Sequence, residues 1–246
     1  MTPISRRTIL ARAVAISAAA ASSYLLSSPA QAAGVDPSQL RSALDEMKSR
    51  NDHVLTGKLS VNGWEMEKVA DNRGNIYTRP TPGVPLDGVA VRMGDVETVL
   101  IHLVRRFHYE VDELRKGDVI GWRSPITVQK RLPESNQASG TAVQIRPGHY
   151  PAGAQGGFFP QQQIAIRDIL AELDGIVRWG GDDRKVNEAL FYIDVKPSDG
   201  RLSKVAGRIR GWKDEPGQGA GAPVDLMSRM RRESAMAMES RQRQAA

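Results

Sequence analysis

The sequence contains no cysteine, which excludes disulfides, thiolate metal sites and a cysteine nucleophile. Aromatic residues make up only 5% of the 246 positions, so the core must be mostly aliphatic. No acidic residue precedes Asp36. The apolar stretch from Ala13 to Leu26 is Ser-rich and falls short of the about 20 residues a membrane span needs.

What the amino terminus does have is a targeting pattern. Ser5-Arg6-Arg7-Thr8-Ile9-Leu10 fits the twin-arginine signature, a polar residue before Arg-Arg and a hydrophobic pair after it. Ala13 to Leu26 then supplies a moderately apolar segment, and Ala30-Gln31-Ala32 a small-x-small cleavage site. Residues 1–32 are therefore expected to be a twin-arginine signal peptide. It would be handled by the twin-arginine translocase and signal peptidase and leave no stable membrane span. The mature chain is expected in the periplasm, the cell envelope or outside the cell. Removing Arg6, Arg7 and Arg12 and no acid lowers the net charge from +6 to +3. So small an excess over some 214 residues argues against a nucleic-acid partner.

Along the mature chain, Asp36-Pro37 followed by Leu40, Leu44 and Met47 predicts a helix over 36–50. Turns at Asn62-Gly63 and Asn72–Gly74 predict a hairpin of Trp64–Val69 with Asn75–Thr78. A Pro-rich connection over 77–85 leads to a strand at 89–93. Val96, Val99, Leu100, Leu103, Val104 and Phe107 give the best helical stripe, from Asp95 to about Glu113. Strands follow at 119–122 and 141–146, a Gly/Pro-rich loop at 147–160, and a helix at 162–173 with Ile164, Ile166, Ile169 and Leu170 inward. Strands at 176–179 and 188–195 and a helix at 202–212 complete the pattern. Residues 213–223 have a flexible composition, and the last 22 show no clear stripe, which predicts a disordered or frayed tail.

Two segments carry a resemblance. The first is Ser135-Asn136-Gln137-Ala138-Ser139-Gly140-Thr141-Ala142-Val143-Gln144. The second is Val177-Arg178-Trp179-Gly180-Gly181-Asp182, continuing at Asn187-Glu188-Ala189-Leu190-Phe191-Tyr192-Ile193. Together they resemble the zinc D-alanyl-D-alanine carboxypeptidases and dipeptidases of the Hedgehog/DD-peptidase superfamily, over roughly residues 95–212. The resemblance implies an α+β fold, a small antiparallel sheet with packed helices. It divides the chain into the signal at 1–32, a region packing on the core at 33–94, a degenerate DD-peptidase-like domain at 95–212 and a flexible tail at 213–246.

In that family two His and one Asp hold the zinc, and a carboxylate three residues before the last His takes a proton from the bound water. Here the first His position is Gln137, the Asp position Gln144, the second His position Leu190 and the base position Asn187. The frame around them persists in Ser135, Gly140, Ala142, Trp179, Gly180, Gly181 and Phe191. The four histidines are His53, His102, His108 and His149, so no shift of register restores the second His. The resemblance thus implies no zinc, no catalytic residue and no zinc hydrolysis: a pseudoenzyme. Its cleft, lined by Ser135, Asn136, Gln137, Gln144 and Asn187, with Trp179 as a wall and Arg146 or Arg178 for a carboxylate, would bind cell-wall (peptidoglycan) peptide or a related ligand.

Other chemistry is weaker in the sequence. Asp182, Asp183 and Glu188 form a possible carboxylate cluster, Ser135 and Ser139 lack a nearby activating base, and 152–157 reads as a flexible lid. Two alternatives stay open: a cell-wall hydrolase with a rearranged site, built on Glu188 and His149, and an accessory protein that binds another exported protein through an apolar patch in 36–90.

Overall fold

The computed structural model describes residues 37–212, 215 and 217–244. The twin-arginine segment lies outside the described residues. The chain divides into two compact units, Met1–Met47 and Lys48–Ala246. The first described element, helix α1, is Pro37–Val54, with Leu40, Leu44 and Met47 exposed. None of the described helices is long and apolar enough to cross a membrane.

The second unit mixes helices with small antiparallel sheets, an α+β architecture. Strand β1 (Leu55–Leu59) pairs with β2 (Glu65–Glu67), and β3 (Ile76–Arg79) pairs with β4 (Val89–Arg92). The expected hairpin of 64–69 with 75–78 therefore does not form. Its intended turn is an irregular loop, in which the Glu67 carboxylate accepts the Asn75 N–H at 3.0 Å and Asp71 N donates to Ile76 O at 2.9 Å. The Pro-rich segment expected to be a connection is the loop of the β3–β4 hairpin, whose Ile76, Val89 and Val91 are buried. Strand β1 escaped notice because Gly57, at φ 66°, and Lys58 interrupt its apolar signal.

Helix α2 (Asp95–Glu110) buries the whole predicted stripe and ends three residues earlier than expected. Strand β5 (Val119–Ile120), the single-turn helix α3 (Ser135–Ala138), β6 (Ala142–Ile145), helix α4 (Pro160–Glu172), β7 (Val177–Trp179), β8 (Leu190–Ile193) and helix α5 (Gly200–Trp212) follow. The main sheet has the antiparallel order β5-β6-β8-β7. Alternation along its strands sends Val143, Ile145, Val177, Trp179, Phe191 and Ile193 into one core with α2, α4 and α5. Ala142, Leu190 and Tyr192 cluster on the opposite face. Val89 and Val91 pack into that same core, and Arg92 N donates to Gly140 O.

The expected flexible tail is corrected at residues 229–244, which form helix α6 (Arg229–Gln244) packed on α4. Only Ala235, Met238 and Gln242 are buried, a stripe too short and too polar to read by periodicity. Gln242 Nε2 donates to Val177 O at 2.7 Å. Arg231 joins Asp168 and Glu172, which with Glu110 surround the fully buried Arg106. His102 Nε2 lies 2.9 Å from Glu172 Oε1. This ionic joint ties α2, α4 and α6 together.

Candidate functional site

The two motif segments meet. Ile120 pairs with Gln144, and Gln144 with Leu190, so the three form one row across β5, β6 and β8. Gly180 continues the row, and a Cβ there would lie 2.6 Å from Asn187 O and 3.2 Å from Leu190 Cβ. A side chain there would collide with Asn187 O and Leu190, which favours glycine where the turn after β7 begins. Gly140 has φ 68° and equally little room, since a Cβ would approach Arg92 N to 2.8 Å.

Ser135, Asn136 and Gln137 are not free to line a cleft. All three are fully buried. Ser135 Oγ accepts Val61 N–H at 3.0 Å, Asn136 Oδ1 accepts Asn62 N–H at 3.2 Å, and Gln137 Nε2 donates to Gly121 O at 2.9 Å and Ile120 O at 3.2 Å. Asn62 completes the joint through Nδ2, which donates to Thr141 Oγ1 and Ile193 O, both at 2.8 Å. These residues fasten the 60–64 turn to the sheet. Gln144 is buried in the row described above.

The expected aromatic wall is also corrected. Trp179 stacks on Phe191 with ring centroids 6.4 Å apart, inside the helical core and on the face away from Leu190. Alternation along β7 sends it there with Val177, opposite to Arg178. Arg146 pairs with Asp112 and, at 3.0 Å, with Asp118, so its fork is already occupied.

A cleft of about 420 Å³ does open beside Leu190 and Asn187. Its walls come from the 129–134 segment, Ala152-Gly153 and the 183–187 segment. Asn187 is 4% exposed, and neither its Nδ2 nor its Oδ1 has a hydrogen-bond partner. Its backbone is fully engaged, with N donating to Gly180 O at 2.9 Å and O accepting Leu190 N–H at 3.0 Å. Asn136 Nδ2 and Gln137 Oε1 are likewise buried without partners. A buried polar atom left unpaired costs about 1–3 kcal/mol, so such atoms call for a partner, from a bound molecule or from water.

Asp183, on the cleft wall, accepts Tyr192 O–H at 2.9 Å and Arg178 Nε–H at 3.1 Å. Burial pushes the Asp183 carboxyl above its ordinary value, against the pull of Tyr192 and Arg178. Burial also raises the Tyr192 hydroxyl, with the Asp183 charge adding to it. The expected cluster of Asp182, Asp183 and Glu188 does not assemble. Asp182 pairs with Arg167, and Glu188 accepts the N–H groups of Gly156 and Gly157, both at 2.8 Å. Glu188 thereby pins the loop expected to be a lid, and Gly153 N pins it again on Val186 O. His149 is exposed, whereas Glu188 is buried and holds Gly156 N and Gly157 N.

Zinc does not fit the family positions. Gln137 offers an amide whose nitrogen is committed to two carbonyls, Gln144 and Asn187 offer neutral amides, and Leu190 offers nothing. Among the described residues no three His, Cys, Asp or Glu side chains gather as a metal site. Sequence reasoning named Asn187 but missed Tyr192 as the partner of Asp183. It also missed Arg184 and Lys185 at the cleft, although the Asp-Asp-Arg-Lys run was visible. A scan against protein-family models and searches of curated proteins and of solved structures each find no match to this chain.

Proposed function

We propose that this chain is an exported, non-catalytic protein of DD-peptidase-like descent whose cleft binds cell-wall peptide or a closely related ligand. One observation carries the reading: the Asn187 amide, buried in a cleft with its donor and its acceptor both unpaired. A peptide unit offers the complementary pair, one C=O and one N–H, and satisfies both atoms at once. The pairing of β6 with β8 supports the resemblance, because it brings the two motif segments side by side. Export rests on Arg6-Arg7 and the segment that follows.

The test is metal analysis of the purified mature protein together with incubation with muropeptides. Retention of the peptide without release of D-alanine, and no stoichiometric zinc, is the expected result. Bound zinc with peptide release would make the protein an enzyme and sink the proposal. Fusing residues 1–32 to a reporter tests export, which Lys at positions 6 and 7 should abolish.

A second reading has its own observation. Leu40, Leu44 and Met47 on α1 are 54%, 48% and 45% exposed, an apolar stripe at helical spacing. That favours an accessory protein that docks a partner helix there. Glu at position 44 would then abolish co-purification of an exported partner while leaving muropeptide binding intact.

A further inference from the structure

We infer that the ligand of this cleft is anionic, a peptide held by its carboxylates on a cationic rim made of Lys130, Arg131, Arg184 and Lys185. The inference rests on the cleft being the binding site, and it adds the charge of what binds there.

The carboxylates of the protein explain the choice. Several buried and half-buried arginines elsewhere are matched by carboxylates: Arg79 with Glu97, Arg146 with Asp112 and Asp118, Arg167 with Asp182, Arg178 with Asp183. The four rim residues have no carboxylate within 4.0 Å among the described residues. They come from two separate loops that face one another. Lys130, Arg131 and Lys185 line a shallow depression of about 650 Å³ that contains no acidic side chain. That depression shares Gln129, Leu132 and Lys185 with the Asn187 cleft, and Arg184 lines the cleft itself. Four like charges brought together, none of them ion-paired within 4.0 Å, raise the local concentration of an anion.

Moving inward, the polarity changes. Asp183 is engaged with Arg178 and Tyr192, and Glu134 stands on the cleft wall. A carboxylate at the inner end would meet Glu134, so the carboxylates of the ligand belong at the rim and a neutral amide belongs at Asn187. An acidic peptide presents both groups. An inorganic polyphosphate presents charge alone and makes no use of the Asn187 donor–acceptor pair. Ile126, 92% exposed on the rim of the same depression, adds an apolar contact that suits a peptide side chain.

The experiment uses the full chain and fluorescence polarisation. The probes are a labelled cell-wall stem peptide with free carboxylates, the same peptide with its carboxylates amidated, and labelled polyphosphate. At low salt the free-carboxylate peptide should bind about ten-fold or more tighter than its amidated twin. The gap should close toward about two-fold near 0.5 M salt, where charges are screened within a few ångströms. Reversing two rim charges, Lys130→Glu with Lys185→Glu, should erase the preference without lowering the melting temperature, because neither residue has an ion pair to lose. Equal affinity for both peptides, or a preference that survives charge reversal, overturns the anionic ligand and leaves the cleft standing. Failure of both peptides to bind overturns the cleft and this inference with it. Polyphosphate binding more tightly than the acidic peptide overturns the peptide assignment. Asn187→Leu tests the cleft separately, since it should weaken both peptides alike.

Discussion

Replacing Asn187 by leucine should stabilise the folded protein, against the usual direction of a substitution at a buried site. The side chain is 4% exposed, and its Nδ2 and Oδ1 have no hydrogen-bond partner. Each such atom costs about 1–3 kcal/mol relative to solvation in the unfolded chain. Leucine has nearly the same shape, removes both polar atoms and leaves the backbone bonds to Gly180 and Leu190 in place. Allowing for imperfect packing, the net gain should be about 2–4 kcal/mol. For a chain of this size that is a rise in Tm of roughly 4–16 °C.

Asn62 supplies the control. Its amide has the same chemistry but is satisfied, with Nδ2 on Thr141 Oγ1 and Ile193 O and Oδ1 accepting Ser60 O–H at 2.6 Å. Asn62→Leu should therefore cost about 1–3 kcal/mol. Paired urea denaturation of the two variants measures the difference in sign. If Asn187→Leu loses stability as Asn62→Leu does, Asn187 is an ordinary satisfied core amide, and the argument that it awaits a ligand fails.

Three further outcomes follow from the same structure. Burial alone would raise the Glu172 carboxyl, but the hydrogen bond from His102 and the Arg106 charge outweigh it and bring it down to about 2. A carboxylate lowered on folding stabilises above its unfolded value of 4.5 and loses that contribution as pH falls toward 2. Urea titrations should show about 3 kcal/mol lost across that window, and an unchanged slope in Glu172→Gln would contradict the assignment. Met238→Ala, which empties the contact of α6 with Gly175, should cost about 2–3 kcal/mol by thermal melting; no loss would mean α6 does not dock. Glu188→Gln keeps one acceptor but drops the charge that holds Gly156 N and Gly157 N, at a cost of about 1–3 kcal/mol. Limited proteolysis should then cut the 152–157 loop faster, and equal cleavage rates would show that Glu188 is not its anchor.

Elements with one strong period were legible in the sequence, and those held by polar contacts were not. The α2 stripe could be read because six apolar residues repeat on one face of the helix. The strands β6 and β8 stood out as short apolar runs, and their pairing is set by the sheet rather than by either run alone. Helix α6 was hidden because ion pairs through Arg231 and a side-chain hydrogen bond from Gln242 do much of its docking. The pairing of β1 with β2 was hidden because strand partners are set by contacts across a loop, and two turn signals lie on either side of β2. At the site, residue identity at the four family positions was legible, but orientation was not. Trp179 and Arg178 are neighbours in β7, and only the register of the sheet decides that Arg178 shares the Tyr192 face while Trp179 enters the core.

The four positions that carry zinc chemistry in the resembling family have divided here into unlike roles. Gln137 spends its amide nitrogen on two carbonyls at the end of β5, and Leu190 joins an apolar cluster with Ala142 and Tyr192. Gln144 lies between them in the row, buried among neighbours. Buried positions of this kind are stabilised by packing or by internal hydrogen bonds. The Asn187 side chain has neither, and a substitution to leucine or valine would relieve it at once. Retaining an uncompensated amide at the floor of a cleft carries a stability cost, and unpaired polar groups of this kind are sustained where binding repays them. If the proposed ligand is recognised at Asn187, affinity and stability should move in opposite directions when it is replaced.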